Sequence, residues 1–486
     1  MSTITRMSIP KKVCLLAILM IILLVIVLNT FSYITNSKAI IFILIIIFLL
    51  IATILMIKKY KIIIFVIPII VGCGAKYFDT MAMPMFADVI TLFFLVITSF
   101  FCINERSSYS RVVKILKHKL FGIIWVWVIV VHILGLLHIS NSYYGIIVSL
   151  TVPIIVISLL IIYTRHENYM TNQLFVKAIA LNSLIISIFT LILFLYPVVV
   201  DNKVLGQMYF PWGNLTRASA WWSNPNGVGV VLWPGLFALV AYSYKIVDEY
   251  RVKALISLNM IFCIMAVLLV TVALLLTGSR SSILGVAVAT IIFILLYRGV
   301  VSGISTILGF SIVATPILLK VSIIERYVFR SEVGATGREY FWGLALEGWK
   351  QNVLIGHGIG SWYSITESHL GAHNAILRLL FETGVLGTSV YLLINAIFIF
   401  CMIRSWNKIR KISSSELQWS FSVIVAIYFG CLVQGIFETH FIGGIDPNNI
   451  IYTSVIVLGF LLCIFVEQER KIFDNKNKKC LLQINI

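Results

Sequence analysis

His373 and Asn374 stand in the one long polar stretch of an otherwise very apolar chain, residues 337–387, with Arg338 and Glu382 in the same stretch. A neutral imidazole accepts a proton near neutral pH. A pattern that enters an amphipathic helix follows the His-Asn pair. His373 is therefore the candidate general base, since it stands at the predicted mouth of a membrane helix.

Two arginines far apart in the chain indicate an anionic ligand. Arg217 lies in a loop that leads into an apolar run at Gly227, and Arg280 sits in TGSRSS between two apolar runs. A guanidinium within a membrane span costs at least about 2.5 kcal/mol, so intramembrane charges usually face a cavity or a partner. The simpler alternative is that the aliphatic part of the arginine side chain lies in the membrane while its guanidinium reaches water at the interface.

Guanidinium groups bind phosphate oxygens in bidentate fashion and stay charged at any physiological pH. The sequence carries no run of carboxylates with metal-ligand spacing, and its eight Cys form no zinc or disulfide pattern. These residues favour a multiply charged anion such as a lipid pyrophosphate, handled without a metal or another cofactor.

The elements that must position these residues are membrane helices. The chain has 486 residues, of which 60% are hydrophobic and 12% charged, and its mean hydropathy is +1.04. This composition predicts an all-α polytopic integral membrane protein, with 12–14 transmembrane helices. About fourteen apolar runs are long enough to span a bilayer, near 13–34, 39–57, 61–75, 84–103, 119–139, 143–163, 174–200, 226–244, 254–276, 281–297, 300–319, 380–403, 418–437 and 448–466.

The net charge of +18 follows from the distribution of Lys and Arg along the chain. Basic clusters alternate with poorly basic loops at helix spacing, as the positive-inside rule requires. We therefore expect both termini in the cytoplasm and no nucleic acid as a partner.

One membrane domain is expected over residues 1–486, with two long external loops. The first is 200–226, and the main one, 320–379, carries the site and contains short helices. Residues 337–350 fit a short amphipathic helix. The alternating glycines of GHGIGS, at 356–360, require a sharp turn or a close backbone approach.

Four motifs in order carry a resemblance to a known family. They are NPN at 224–226 preceded by Arg217, TGSR at 277–280, GREYFWGLALEGW followed by LIGHGIGS, and HNAILRLLFETGVLG at 373–387. Together, over roughly residues 215–390, they resemble the O-antigen ligase and polymerase superfamily, also called Wzy-type.

The resemblance implies an inverting glycosyltransferase of the bacterial cytoplasmic membrane. Such enzymes take a glycan from an undecaprenyl-pyrophosphate carrier on the outer face and pass it to an acceptor hydroxyl. By this analogy His373 is the base, while Arg217 and Arg280 hold the carrier pyrophosphate. Lys76, in an external loop, is a further candidate phosphate contact.

Supporting positions implied by the resemblance are Arg338, Asn374 and Glu382. Glu382 either orients local backbone or pairs with Arg378, four residues earlier. The implied partners are the carrier-linked oligosaccharide and membrane lipid, with a chain-length regulator and a flippase as further candidates.

Three activities remain open at the level of sequence. A polymerase joins two carrier-linked repeat units, whereas a ligase moves a finished chain to a lipid or protein acceptor. The Ile-, Lys- and Asn-rich composition indicates an AT-rich genome and favours the polymerase. A flippase for a lipid-linked glycan is disfavoured, because transporters place polar groups near the bilayer midplane and here they collect at one face.

Overall fold

A computed structural model describes residues 91–92, 95–96, 98–99, 102, 106–138, 143–164, 170–200, 203–210, 215–222, 224–250, 257–305, 308, 338–366, 371–410, 414–440, 442–444 and 446–484. All of them belong to the unit Ile64–Ile486. Lys76 lies outside the described residues, as do the expected spans at 13–34, 39–57 and 61–75 and most of those at 84–103 and 300–319.

The helices are, in chain order, α1 Arg106–Leu116, α2 Lys119–Leu137, α3 Tyr143–Tyr163, α4 Met170–Leu195, α5 Pro225–Tyr250, α6 Leu258–Thr277, α7 Arg280–Arg298, α8 Arg338–Gln351, α9 Trp362–Thr366, α10 Ala375–Ile409, α11 Ser415–Gly435 and α12 Pro447–Ile484. Within the described residues, eight helices are long and apolar enough to cross a membrane. The predicted fold class, a helical polytopic membrane protein, is confirmed. The total of 12–14 spans stays a prediction, because several expected spans fall on residues that are not described.

A small sheet occupies the first external loop and was not predicted. Strands β1 (Val198–Val200), β2 (Lys203–Phe210) and β3 (Leu215–Ala220) pair antiparallel in the order β1-β2-β3. Their β-branched and aromatic residues suit a pleated sheet. The strands are short, however, and the sequence pattern alone does not distinguish them from a continuation of the preceding apolar helix. The sheet fixes the strand that carries Arg217, which pairs with Met208 on β2.

Helix α10 is broken near its start at Gly384, where φ is 61° and ψ is −163°. This combination is open almost only to glycine. A break leaves backbone groups on both sides without helical partners, and such groups are costly when buried. The loop that contains GHGIGS supplies those partners.

Four backbone hydrogen bonds join this loop to the break in α10. The amides of His357 and Gly358 donate to the carbonyls of residues 381 and 382, at 2.9 and 2.8 Å. The amides of residues 385 and 386 donate to the carbonyls of residues 353 and 354, at 2.9 and 3.1 Å. A Cβ on Gly356 would stand 2.6 Å from the α10 backbone, so the predicted close approach is confirmed.

Helix α8 packs on this junction along its apolar stripe. The amphipathic helix expected at 337–350 is observed, and Ala345 and Gly348 are its buried residues. Ala345 joins Trp362 and Phe381 in one buried cluster. A Cβ on Gly348 would stand 2.3 Å from the Phe381 ring. The site loop is therefore folded onto the membrane helices.

We expect Gly384→Ala to destabilise the protein by about 2 kcal/mol or more, because a Cβ would stand 2.4 Å from the Leu354 carbonyl on a strained backbone. Gly343→Ala is the matched control, since its Cβ would meet nothing within 4 Å and alanine gains about 0.5–1 kcal/mol in a helix. Thermal unfolding of the detergent-purified protein measures both. Equal midpoints for the two variants would contradict the role of the break.

Candidate active site at the convergence of four helix starts

The carboxylate of Glu438 joins three residues that are far apart in the sequence. Its Oε1 accepts a hydrogen bond from Asn226 Nδ2 at 2.9 Å and lies 3.5 Å from Arg338 Nη2. Its Oε2 lies 3.4 Å from His373 Nδ1. Glu438 is 9% exposed, so the polar and cationic neighbours compensate for its removal from water.

Arg217 reaches the same network from strand β3. Its side chain is 4% exposed; Nε donates to the Thr277 carbonyl at 2.5 Å and Nη2 donates to Asn226 Oδ1 at 2.6 Å. Asn226 thus bridges Arg217 and Glu438 with its two amide atoms. The Thr277 contact also ties the guanidinium to the last residue of α6, next to the turn that carries Arg280.

Arg280 is the first residue of α7 and is exposed. No ion pair or hydrogen bond links its guanidinium to another of the described residues. It lies close enough to Arg338 for the two positive charges to interact. Arg280 and Arg338 therefore both contribute positive charge to this face.

A buried polar network supports the turn that carries Arg280. Gln434 accepts from Trp233 Nε1 at 2.8 Å and donates to Ser282 Oγ at 3.0 Å. Ser282 in turn contacts Ser279 Oγ at 2.9 Å. Because Gln434 is 1% exposed and its partners are satisfied, the turn has a fixed position on α11.

His373 is held beside Glu438 by its backbone and by Phe341. Its φ of 49° is unusual for a residue other than glycine, and the Phe341 ring packs edge-on at 6.3 Å. A carboxylate only accepts hydrogen bonds, so a neutral His373 imidazole bonded to Glu438 would carry its proton on Nδ1. The lone pair is then on Nε2, as a base requires.

Asn374 and Glu382 serve the local structure. Asn374 caps α10, where its Oδ1 accepts from the amides of residues 376 and 377 at 3.0 Å each. Glu382 is 2% exposed and accepts from Arg378 Nε at 2.9 Å. The pairing of Glu382 with Arg378, one of two alternatives expected from the sequence, is observed, and Asn374 fixes the helix start that follows His373.

Four helices begin at this site, which adds positive potential to it. The residues Asn226, Arg280 and Arg338 lie in the first turns of α5, α7 and α8, and His373 directly precedes the cap of α10. A helix start carries unpaired amide N–H groups and about half a positive charge. Together with the arginines, these helix starts give this face a positive electrostatic potential.

Glu438 was missing from the sequence-based candidates. It follows the predicted span 418–437, at the external end by the expected topology, in a chain with only 19 acidic residues. A single acidic residue at the membrane boundary needs cationic partners. Glu438 could have been identified in the sequence from this requirement. In the described part of the chain, no three His, Cys, Asp or Glu side chains gather as metal ligands.

His440, in the same loop as Glu438, is expected to make the protein acid-sensitive. Burial lowers the pKa of His440 to about 4, so between pH 6.5 and 4 the unfolded chain binds the proton that the folded chain does not. Stability therefore falls as pH falls through this window, by about 3 kcal/mol from this residue at pH 4.

His440→Asn keeps a donor near the Nδ1 position and removes this titration. We expect its thermal midpoint to depend less on pH between 6.5 and 4 than the wild-type midpoint does. The comparison is made by thermal unfolding in one detergent across that range. Parallel curves for the two proteins would refute the assignment.

Comparison with known proteins is consistent with this geometry. Residues 265–392 match the family model described as O-Antigen ligase, a segment that contains Arg280, Arg338 and His373. No curated protein sequence matches the chain. The match supports an O-antigen ligase/polymerase-type function and a glycosyltransferase-like enzyme in a bacterial inner membrane. The match over residues 265–392 supports the resemblance of this segment to the O-antigen ligase/polymerase superfamily.

Proposed function

We propose that the protein is a surface-polysaccharide polymerase, which joins undecaprenyl-pyrophosphate-linked repeat units at the outer face of the cytoplasmic membrane. The observation that carries the proposal is the cluster of Arg217, Arg280 and Arg338 around the Glu438–His373 pair. Guanidinium groups hold the pyrophosphate of a donor, and a neutral imidazole beside a carboxylate deprotonates an acceptor hydroxyl.

The proposed step is an inverting displacement at the anomeric carbon of the donor glycan. His373 Nε2 takes the proton of the acceptor hydroxyl as its oxygen forms the new glycosidic bond. The bond from the anomeric carbon to the pyrophosphate oxygen breaks, and undecaprenyl pyrophosphate leaves with the electron pair. The imidazolium formed at His373 is stabilised by Glu438, which lies 3.4 Å from Nδ1.

The cations act on the leaving group. Arg280 is exposed and contributes a direct contact, whereas the buried Arg217 adds positive charge from behind and holds the turn next to Arg280. Charge that develops on the pyrophosphate in the transition state is stabilised by cations already in place. Since the donor carries its own leaving group, positioning, deprotonation and neutralisation suffice, and no metal is needed.

Lys76 remains a proposed further phosphate contact, outside the described residues. The partners that the proposal implies are the carrier-linked oligosaccharide and membrane lipid, together with a chain-length regulator and a flippase that act on the same polymer. We further propose that both termini lie in the cytoplasm, because the distribution of Lys and Arg along the sequence follows the positive-inside rule.

His373→Ala is expected to abolish polymer, because the acceptor hydroxyl loses its base; loss of a general base costs about 10²- to 10⁴-fold. The assay is reconstitution of the purified protein with lipid-linked repeat unit, followed on gels as glycan ladders. His138→Ala is the matched control, since the His138 ring bonds the Leu134 carbonyl, whereas Glu438 bonds His373. This control is expected to retain the ladder.

The same assay separates the alternatives. Ladder formation from repeat unit alone supports a polymerase, whereas a requirement for a separate lipid or protein acceptor would identify a ligase. In cells, His373→Ala should leave single carrier-linked repeats exposed at the outer face, and loss of that exposure would instead favour a flippase. A strict need for divalent metal, tested with EDTA, would contradict the arginine-based neutralisation.

A further inference from the structure

We propose that the small sheet of the first external loop is an interfacial lipid anchor, and that a membrane leaflet covers its exposed apolar side chains. The inference does not depend on the proposed glycosyl transfer. The sheet surface means the exposed side chains at the end of α4 and on strands β1 and β2, which are Leu195, Tyr196, Val198, Val199, Val204, Met208 and Tyr209. None of these seven side chains carries a charge.

The hairpin of β1 and β2 exposes apolar side chains on both of its faces. Val199 pairs with Val204 across the two strands, and Val198 pairs with Leu205. Successive residues of a strand point to opposite faces, so the two pairs lie on opposite faces of the hairpin. Val199 is 67% exposed, and Val198 is exposed as well. An antiparallel sheet that borders water commonly turns a polar face to it, so two valine faces favour an apolar surrounding.

The sheet surface continues the lipid-facing stripe of α4. Ile188, Ile192 and Leu195 are exposed on this helix, and their spacings of four and three residues place them along one face. Because α4 is long and apolar enough to cross a membrane, such a stripe faces lipid. Tyr196 follows Leu195 directly and is 74% exposed. The lipid contact of α4 therefore runs directly into the sheet surface.

The sheet packs against the side of α4. Gln207 Nε2 donates to the Phe194 carbonyl at 2.7 Å, and the Trp221 ring, just after β3, packs edge-on against Phe189 at 5.5 Å. Phe189 lies six residues before Leu195, the last residue of α4, which is about 9 Å along the helix axis. The sheet therefore lies alongside the membrane-spanning part of α4.

The open edge of the sheet limits how deep it can lie. Strand β1 is at the edge, so the backbone groups on its outer side have no partner strand in the sheet that the structure describes. Such groups are not tolerated against hydrocarbon, but water and headgroups satisfy them at the interface. Tyrosines such as Tyr196 and Tyr209 also favour that level. Side chains and backbone together place the sheet surface at the boundary between acyl chains and headgroups.

The anchor fixes the depth of the strand that carries Arg217. Strand β2 lies between β1 and β3, and Met208 on β2 pairs with Arg217 on β3. Contact of β1 and β2 with the leaflet therefore sets the distance of β3 from the membrane surface. The guanidinium that bonds Thr277 and Asn226 is held at the same level.

A second copy of the chain or another membrane protein is the alternative occupant of the sheet surface. A protein partner would have to follow both faces of a narrow hairpin and one side of α4. Lipid acyl chains adapt to a surface of this shape without a complementary groove. The geometry therefore favours lipid, and the experiment separates the three occupants by the mass of what is bound.

The anchor is tested by photo-crosslinking of the full-length protein in nanodiscs of phosphatidylethanolamine and phosphatidylglycerol. Tyr196→p-benzoylphenylalanine and Tyr209→p-benzoylphenylalanine replace one aromatic ring by another at exposed positions, and Val199→p-benzoylphenylalanine probes β1. After irradiation, the mass of the intact protein reports lipid adducts. Adduct yields are expected within about twofold of those from Phe262→p-benzoylphenylalanine, because Phe262 is exposed on the membrane-spanning α6.

Glu347→p-benzoylphenylalanine is the matched control for an exposed position in water. Glu347 is a charged, exposed residue of α8, and charged side chains normally stand in water, so its lipid adducts are expected to be about fivefold fewer or less. Yields at positions 196, 199 and 209 as low as at position 347 would overturn the anchor. In native membranes, a main product that joins two copies of the chain, or the chain to another protein, would overturn lipid as the occupant.

The wild-type protein gives a second measurement that needs no substitution. A phosphatidylglycerol with a diazirine on its acyl chain, close to the headgroup, is irradiated with the protein in nanodiscs, and the labelled peptides are identified by mass spectrometry. Peptides that contain residues 195–200 and 203–210 are expected to be labelled as strongly as those of α6. Labelling of α6 without labelling of these peptides refutes the anchor, whether or not the protein transfers glycan.

Discussion

The carboxylate of Glu438 is the interaction on which the arrangement of the site depends. It contacts Asn226, Arg338 and His373, which come from three separate parts of the chain. A buried carboxylate without partners costs several kcal/mol, and so does a buried cation. The buried carboxylate and the cations therefore stabilise each other, and this interaction holds the helix starts that carry them at one face. The same carboxylate would bond a neutral His373 imidazole that carries its proton on Nδ1.

This electrostatic arrangement needs a rigid support, which the backbone provides at the break in α10. The loop 353–358 restores the hydrogen bonds that the break removes, so the loop and the helix have one relative position. Helix α8 packs on the same junction through Gly348. Arg338 and His373 therefore stand on elements fixed to each other. The proposed step needs this rigidity, because reacting groups must be positioned to within about 1 Å for efficient transfer.

Many of the helices and several site residues could be predicted from residue types, whereas contacts between distant parts of the chain could not. The apolar runs, the stripe of α8 and the turn at GHGIGS follow from period and composition, which are local properties. Arg280 and His373 could be identified because polar side chains at a membrane boundary need a partner or a ligand. The sheet that carries Arg217 and the role of Glu438 were missed, because short strands and long-range ion pairs depend on neighbours that are distant in sequence.

In the proposed step, the charge on the leaving group is stabilised by arginines and helix starts. Guanidinium groups stay charged across the range of external pH, and amide dipoles at helix starts do not titrate. Such a site keeps its positive potential without recruiting an ion from the surroundings. In the proposed step, the proton of the acceptor passes to the imidazole of His373, next to Glu438. The Glu438 carboxylate lies between Arg338 and His373, so one acidic group contacts both a cation and the proposed base.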